Sequence, residues 1–167
     1  MELIGPDRFE LQFDSTRVRV LHPNGALTFS GRAAKRWPKL YMAVSNGSPI
    51  YVGVTRQPLS NRLRLGWNAA GESGYHGYAW RHALNEASFF VWYSNLDERE
   101  KSQRELETVE AEVVFAIRER GQWPEYQTEI HFYQSNASHR ALAGQVLKSC
   151  ECPNTGSADK AQATIER

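Results

Sequence analysis

Cysteine is nearly absent from this chain. Its 167 residues hold two, Cys150 and Cys152, both in a polar stretch near the C-terminal end. Two thiols cannot close a four-ligand structural zinc site, and they do not lay out a secreted disulfide scaffold. A reducing, cytoplasmic setting is the expectation. Long apolar runs are missing as well, so no segment is long enough to span a membrane. The opening Met1-Glu2-Leu3-Ile4-Gly5-Pro6-Asp7 lacks the basic and apolar regions of a secretory leader, and none is expected. There is no internal repeat. Net charge is also scarce, at +1. Acids, however, are missing from one long stretch. Residues 17–82 carry ten basic side chains against the single acid Glu72, an excess of nine positive charges. Residues 83–129 carry eleven acids against five bases. A near-neutral total therefore hides a basic half able to hold phosphates, unless the two halves neutralise each other in the fold.

What is present is a pattern centred on two tyrosines. Lys39-Leu40-Tyr41 is followed, nine residues on, by Tyr51-Val52-Gly53, and then by Arg62. Leu40, Met42 and Val44 alternate with Tyr41, Ala43 and Ser45. Ile50, Val52 and Val54 alternate with Tyr51, Gly53 and Thr55. This is the period-two signal of strands. Ser45-Asn46-Gly47-Ser48-Pro49 between them is a strong turn signal, because Asn-Gly tolerates φ > 0 at low cost. Burying both apolar triads on one face fixes the register: Met42 opposite Val52, Val44 opposite Ile50, Tyr41 opposite Gly53 and Ala43 opposite Tyr51. A two-residue turn has the wrong parity for these pairs, so a three- or five-residue loop is expected. Pro58 suits a helix start, and Leu59, Leu63 and Gly66 outline a short helix ended by glycine, from which Arg62 and Arg64 emerge. Taken alone, the hairpin also fits an ordinary aromatic cross-strand pair.

Leu40-Tyr41, Ile50-Tyr51-Val52-Gly53 and Leu59-x-x-Arg62-Leu63 together resemble the GIY-YIG nuclease family, over roughly residues 38–131. The fold expected is α+β and sandwich-like: a small central, mostly antiparallel sheet carrying this hairpin, flanked by helices, with an extra N-terminal β-hairpin. For 167 residues one domain is the natural prior. Residues 1–37 read as an N-terminal β extension, with strands near 8–13, 17–21 and 26–29 and a turn at His22-Pro23-Asn24-Gly25. Residues 38–135 read as the nuclease-like core. Within it, 66–77 is a glycine-rich loop, 78–87 a helix, 88–93 a third strand, 95–102 a charged turn, 103–120 a strong helix and 126–133 an extended piece. A C-terminal helix is expected within 136–152, and 153–167 is polar enough to stay disordered.

The long helix contains Glu105, Glu107, Glu110, Glu112 and Glu119. At about 100° per residue, Leu106, Val109, Val113 and Ile117 form one apolar stripe, and Glu110 falls inside it. Glu105 and Glu112 fall on the polar side, and Glu107 on the flank. A carboxylate inside an apolar stripe is costly unless a charge or a metal partners it. Glu110 is therefore the anomalous acid, with a salt bridge to an arginine such as Arg62 as the structural alternative. The resemblance points the same way: its metal-binding glutamate lies in Glu-x-x-apolar-apolar, matched here by Glu110-Ala111-Glu112-Val113-Val114.

The resemblance implies a divalent-metal-dependent endonuclease acting on double-stranded DNA. Glu110 would hold one Mg²⁺ or Mn²⁺, Arg62 would grip the scissile phosphate, Tyr41 would accept a proton from the attacking water, and Tyr51 would position water or phosphate. Lys39, Arg56, Arg64, Tyr75 and Tyr78 would contact DNA. The chain departs from the pattern in three places. Lys39-Leu40 replaces Gly-Ile. Gly66 stands where the family often has His or Tyr one turn after the arginine, so His76 is considered as a substitute. Gln127, in Pro124-Glu125-Tyr126-Gln127, replaces an asparagine. The competing readings are a non-catalytic nucleic-acid-binding module or a protein-interaction module on the same fold. A homodimer is compatible with either.

Overall fold

Asn46 and Gly47 have φ of 51° and 74°, the pair of positive values that a two-residue type I′ turn requires. They join strand β3 (Lys39–Ser45) to strand β4 (Ser48–Thr55). Next to the turn Ser45 faces Ser48 and Val44 faces Pro49. Beyond it Ala43 faces Tyr51, Met42 faces Val52 and Tyr41 faces Gly53. The expected three- or five-residue loop and the Val44–Ile50 pair are thus not found. Ile50 is instead the extra residue of a β-bulge. The turn takes the odd parity that suits strand twist, and the bulge restores the even parity that burial demands. Ile50 consequently packs with Tyr41 and Ala43, whereas Met42 and Val52 face the other way.

The computed structural model describes residues 1–71 and 76–150. It shows an α+β fold built on one antiparallel sheet whose strands lie in the order Val18–Leu21 (β2), Leu3–Phe13 (β1), Glu86–Ser94 (β5), β3, β4. Strand β1 (Leu3–Phe13) pairs with β2 (Val18–Leu21), forming the expected N-terminal hairpin. It is not an appendage. β1 lies inside the sheet against β5 (Glu86–Ser94), with Phe9 opposite Phe89 and Leu11 opposite Ala87. The strand expected near 26–29 does not form, and Phe29 instead packs edge-on against Phe9, ring centres 4.8 Å apart.

Both faces of the sheet are covered, which is why β3 is buried from Lys39 to Val44. On one face helix α1 (Leu59–Asn68) and the segment around Trp80 bury Phe9, Leu11, Tyr41, Phe89 and Val91. On the other, helices α2 (Arg99–Glu119) and α3 (Ala137–Cys150) bury Leu40, Met42, Val52, Phe90 and Trp92. Side chains of α2 and α3 also meet: His139 Nε2 lies 3.0 Å from Glu105 Oε2, and Arg140 Nε lies 3.9 Å from Glu112 Oε1. No helix among the described residues is long and apolar enough to cross a membrane.

Several boundaries differ from expectation. α2 begins at Arg99, taking in much of the expected charged turn. The helix expected over 78–87 is a single 3₁₀ turn, Ala79–His82, after which β5 begins at Glu86. Residues 126–133 form no regular strand, but they cover the open edge of β4: Tyr126 N–H donates to the Ile50 carbonyl (3.0 Å), and Gln127 Oε1 accepts from Val52 N–H (2.9 Å). The polar tail 153–167 lies outside the described residues.

Candidate active site

Tyr41 sits at the middle of β3, fully buried. Its ring stacks on Phe89 at 5.1 Å and on Tyr51 at 5.9 Å, both 26° from parallel. Gly53, directly across the ladder, makes this possible: a Cβ there would come within 2.6 Å of the Tyr41 hydroxyl and 2.8 Å of the Tyr51 ring. The Tyr41 hydroxyl accepts from Arg62 Nε at 3.4 Å and lies 3.0 Å from the Tyr78 hydroxyl. Arg62 reaches it from the second turn of α1, with its guanidinium 5.6 Å from the centre of the Tyr78 ring, within cation–π range. Tyr51, on β4, is half-buried and meets Tyr78 edge-on at 5.4 Å. Burial first, and then the neighbouring Tyr41, hold the Tyr51 and Tyr78 phenols well above their ordinary range, with Arg62 pulling the other way. Both therefore remain hydrogen-bond donors at neutral pH.

Glu110 belongs to the opposite face of the sheet, yet it senses this cluster around the edge of β4. It is 5 % exposed. Burial, reinforced by Glu107, pushes its carboxyl up to about 8. A hydrogen bond from the Gln127 side chain and the charge of Arg62 act in the opposite sense. Gln127 is the hinge of this arrangement. Its oxygen is held by the Val52 amide of β4, and its nitrogen donates to the Glu129 carbonyl at 2.9 Å. The amide that departs from the family pattern thus ties the edge strand to the carboxylate. Three neighbouring acids of α2 have partners of their own: Glu105 with His139, Glu112 with Arg140, and Glu107 with Gln103 at 2.6 Å.

The remaining expected site residues are distributed differently. Lys39 is fully buried, its ammonium donating to the carbonyls of Lys35 (2.9 Å) and Gln57 (2.8 Å), and burial lowers it to about 8. It is withdrawn from the surface and offers no phosphate contact. Tyr78 is also buried, so it is a wall of the tyrosine cluster and not an exposed stacking platform. Arg56 is exposed but ion-paired with Glu100 at 2.7 Å. Arg64 is exposed, with Asn61 as a partner at 2.8 Å. His76 is exposed and lies against Gly71. Tyr75 lies outside the described residues.

Sequence reasoning gave Gly66 the wrong role and missed Arg81. Gly66 does not end α1. It lies within the helix, and a Cβ there would fall 2.3 Å from the Tyr78 ring. Arg81 is buried, with Nη1 donating to the Gly66 carbonyl and Nη2 to that of Ala69 at 3.0 Å. It caps the C-terminal carbonyls of α1. No pattern in the sequence marked Arg81. A glycine on the buried side of a helical run was the available sign for Gly66.

Among the described residues, no three His, Cys, Asp or Glu side chains converge as a metal cage. The donor set at the cluster is the Glu110 carboxylate alone, since Glu107, one turn away, is held by Gln103. That set suits a hard cation that keeps most of its waters and takes further ligands from a substrate phosphate, as Mg²⁺ does. Comparison with protein-family models, with curated proteins and with solved structures finds no match to this chain.

Proposed function

We propose that this chain is a metal-dependent endonuclease of the GIY-YIG type, hydrolysing phosphodiester bonds in double-stranded DNA. The observation that carries this reading is the cluster of Tyr41, Tyr51 and Arg62 from β3, β4 and α1, to which Glu110 of α2 is linked through Gln127 at the edge of β4. A phenol network beside an arginine and a buried carboxylate is poorly explained by packing alone. Buried charge is costly, and an arginine with a carboxylate suits anionic substrate chemistry.

In this reading Arg62, oriented by the Tyr41 hydroxyl, grips the scissile phosphate and offsets its developing negative charge. Tyr51, half-buried, is the phenol nearest solvent. Held protonated, it donates to the attacking water or to a phosphate oxygen. The burial of Tyr41 shifts it from proton acceptor to brace for Arg62. Water attacks phosphorus, its proton leaves to solvent, the ester P–O bond breaks, and the departing oxygen takes up a proton from solvent. Glu110, steadied by Gln127, would hold one Mg²⁺ or Mn²⁺, which when bound supplies charge stabilisation for the leaving oxygen. A second reading, a non-catalytic nucleic-acid-binding module, draws on the burial of both Tyr41 and Glu110.

The test is cleavage of supercoiled plasmid with Mg²⁺, Mn²⁺ or EDTA, using the parent and Glu110→Gln. Expected are nicking or linearisation with metal and a fall by orders of magnitude in the variant, whose far-UV circular dichroism stays unchanged. Parent-like cleavage by Glu110→Gln removes Glu110 from the site. No cleavage by the parent with either ion favours the binding module.

A further inference from the structure

We infer that Tyr78 is a positioning residue of this site, delivered through the space left by Gly66, and that it holds Tyr41 and Arg62 in their working geometry; this rests on the nuclease reading above. Three contacts converge on the one side chain. Its hydroxyl lies 3.0 Å from the Tyr41 hydroxyl. Its ring carries the Arg62 guanidinium at 5.6 Å. Its edge crosses α1 where a Cβ on residue 66 would fall 2.3 Å from Cε2 and 2.4 Å from Cδ2. A side chain at position 66 and the ring at position 78 therefore compete for one volume.

The backbone that carries Tyr78 is fastened to the same place. Tyr78 N–H donates to the Gly66 carbonyl at 3.3 Å, and Arg81 donates to that carbonyl and to the carbonyl of Ala69. Trp67 and Trp80 wall the ring at 5.8 and 5.1 Å. Packing alone would be served by phenylalanine, so the hydroxyl is the informative atom. Arg62 Nε–H and the Tyr78 O–H can both be directed at the Tyr41 oxygen. The Tyr41 proton then points away from both, toward Tyr51 and the substrate side. Tyr78 touches no reacting atom in this scheme and acts through its two neighbours.

Steady-state cleavage of a labelled duplex by Tyr78→Phe is the test. The expected result is a kcat roughly 10–100-fold lower with KM within about twofold, an unchanged gel shift, and an unchanged melting temperature. A second measurement does not depend on activity. In the parent, the Arg62 Nε–H resonance should be displaced upfield by the Tyr78 ring and protected from exchange. Tyr78→Leu should return it to an ordinary position. Parent-like kcat in Tyr78→Phe, or an Arg62 resonance indifferent to Tyr78→Leu, overturns the inference while leaving the nuclease reading intact. Absence of cleavage by the parent overturns both, and is distinguished by appearing before any variant is made.

Discussion

Glu110 occupies a position that hydrophobic periodicity reserves for an aliphatic side chain, between Leu106, Val113 and Ile117 of the α2 stripe. With its carboxyl raised to about 8, the fold favours the neutral form. Its stabilising contribution is full below the ordinary carboxylate range, declines as pH rises, and is lost once pH passes about 8. Between pH 5 and pH 9 the parent should lose on the order of 3–5 kcal/mol that Glu110→Gln retains, measurable as a difference in denaturant midpoints. A divalent cation held by Glu110, as proposed, must displace the proton from this carboxyl. Mg²⁺ affinity should therefore rise about tenfold per pH unit below pH 8 and level off above it. Calorimetric titration at pH 6, 7, 8 and 9 reads this directly. Equal affinity at all four values, or unchanged affinity in Glu110→Gln, would separate the metal from Glu110. Glu110 was legible in the sequence because one polar residue broke a regular stripe. Lys39 was not, since a basic residue at a strand start looks like a surface residue until both faces of that strand are known to be covered.

At the level of elements, the β3–β4 hairpin shows two sequence signals in conflict, each correct. Alternation demanded that Tyr41 face Gly53, and it does. Asn46-Gly47 demanded a two-residue turn, and it forms one. The bulge at Ile50 reconciles them and has no marker of its own in the sequence. The helix expected over 78–87 reduces to one 3₁₀ turn because β5 begins at Glu86, although Trp80-Arg81-His82 offers helical composition. Gly53 is the element's tightest constraint. Gly53→Ala places a methyl against the Tyr41 hydroxyl, and Tyr41 has little freedom to yield between Phe89 and Tyr78. Overpacking of this kind costs about 1–3 kcal/mol. The variant should melt several degrees lower and, by displacing the Tyr41–Arg62 contact, lose cleavage beyond what its stability explains. Gly47→Ala, at a turn with open space around it, should lose some stability through its positive φ while keeping activity in the folded fraction. Equal activity loss in the two variants would argue that the hairpin matters only as scaffold.

The charge segregation along the chain becomes a segregation across the sheet. The basic half supplies β2, β3, β4 and α1, while the acids concentrate in α2 on the opposite face. Folding trims the raw excess, because Lys39 and Arg81 are buried and Arg56 is paired with Glu100. Arg17, Arg19, Arg32, Lys35, Arg36 and Arg64 remain exposed. Arg17 and Arg64 border one groove, beside Leu63 and Trp67 of α1. If this side faces the substrate, duplex affinity should fall steeply with salt, because each neutralised phosphate releases counterions. Four to six contacts correspond to a log–log slope of roughly −4 to −5. Replacing Arg17 and Arg64 with glutamine should flatten that slope by about two units. Replacing Arg118, which lies over Trp123 at the far end of α2, together with Arg120 should leave it unchanged. Fluorescence anisotropy of a labelled duplex between 50 and 300 mM salt, roughly the range in which such contacts are lost, measures both pairs side by side. Equal flattening by the two pairs would place the nucleic acid on no particular face. A flat dependence in the parent would remove nucleic acid as the partner and return the charge asymmetry to internal neutralisation, of which the Arg56–Glu100 pair is already an instance.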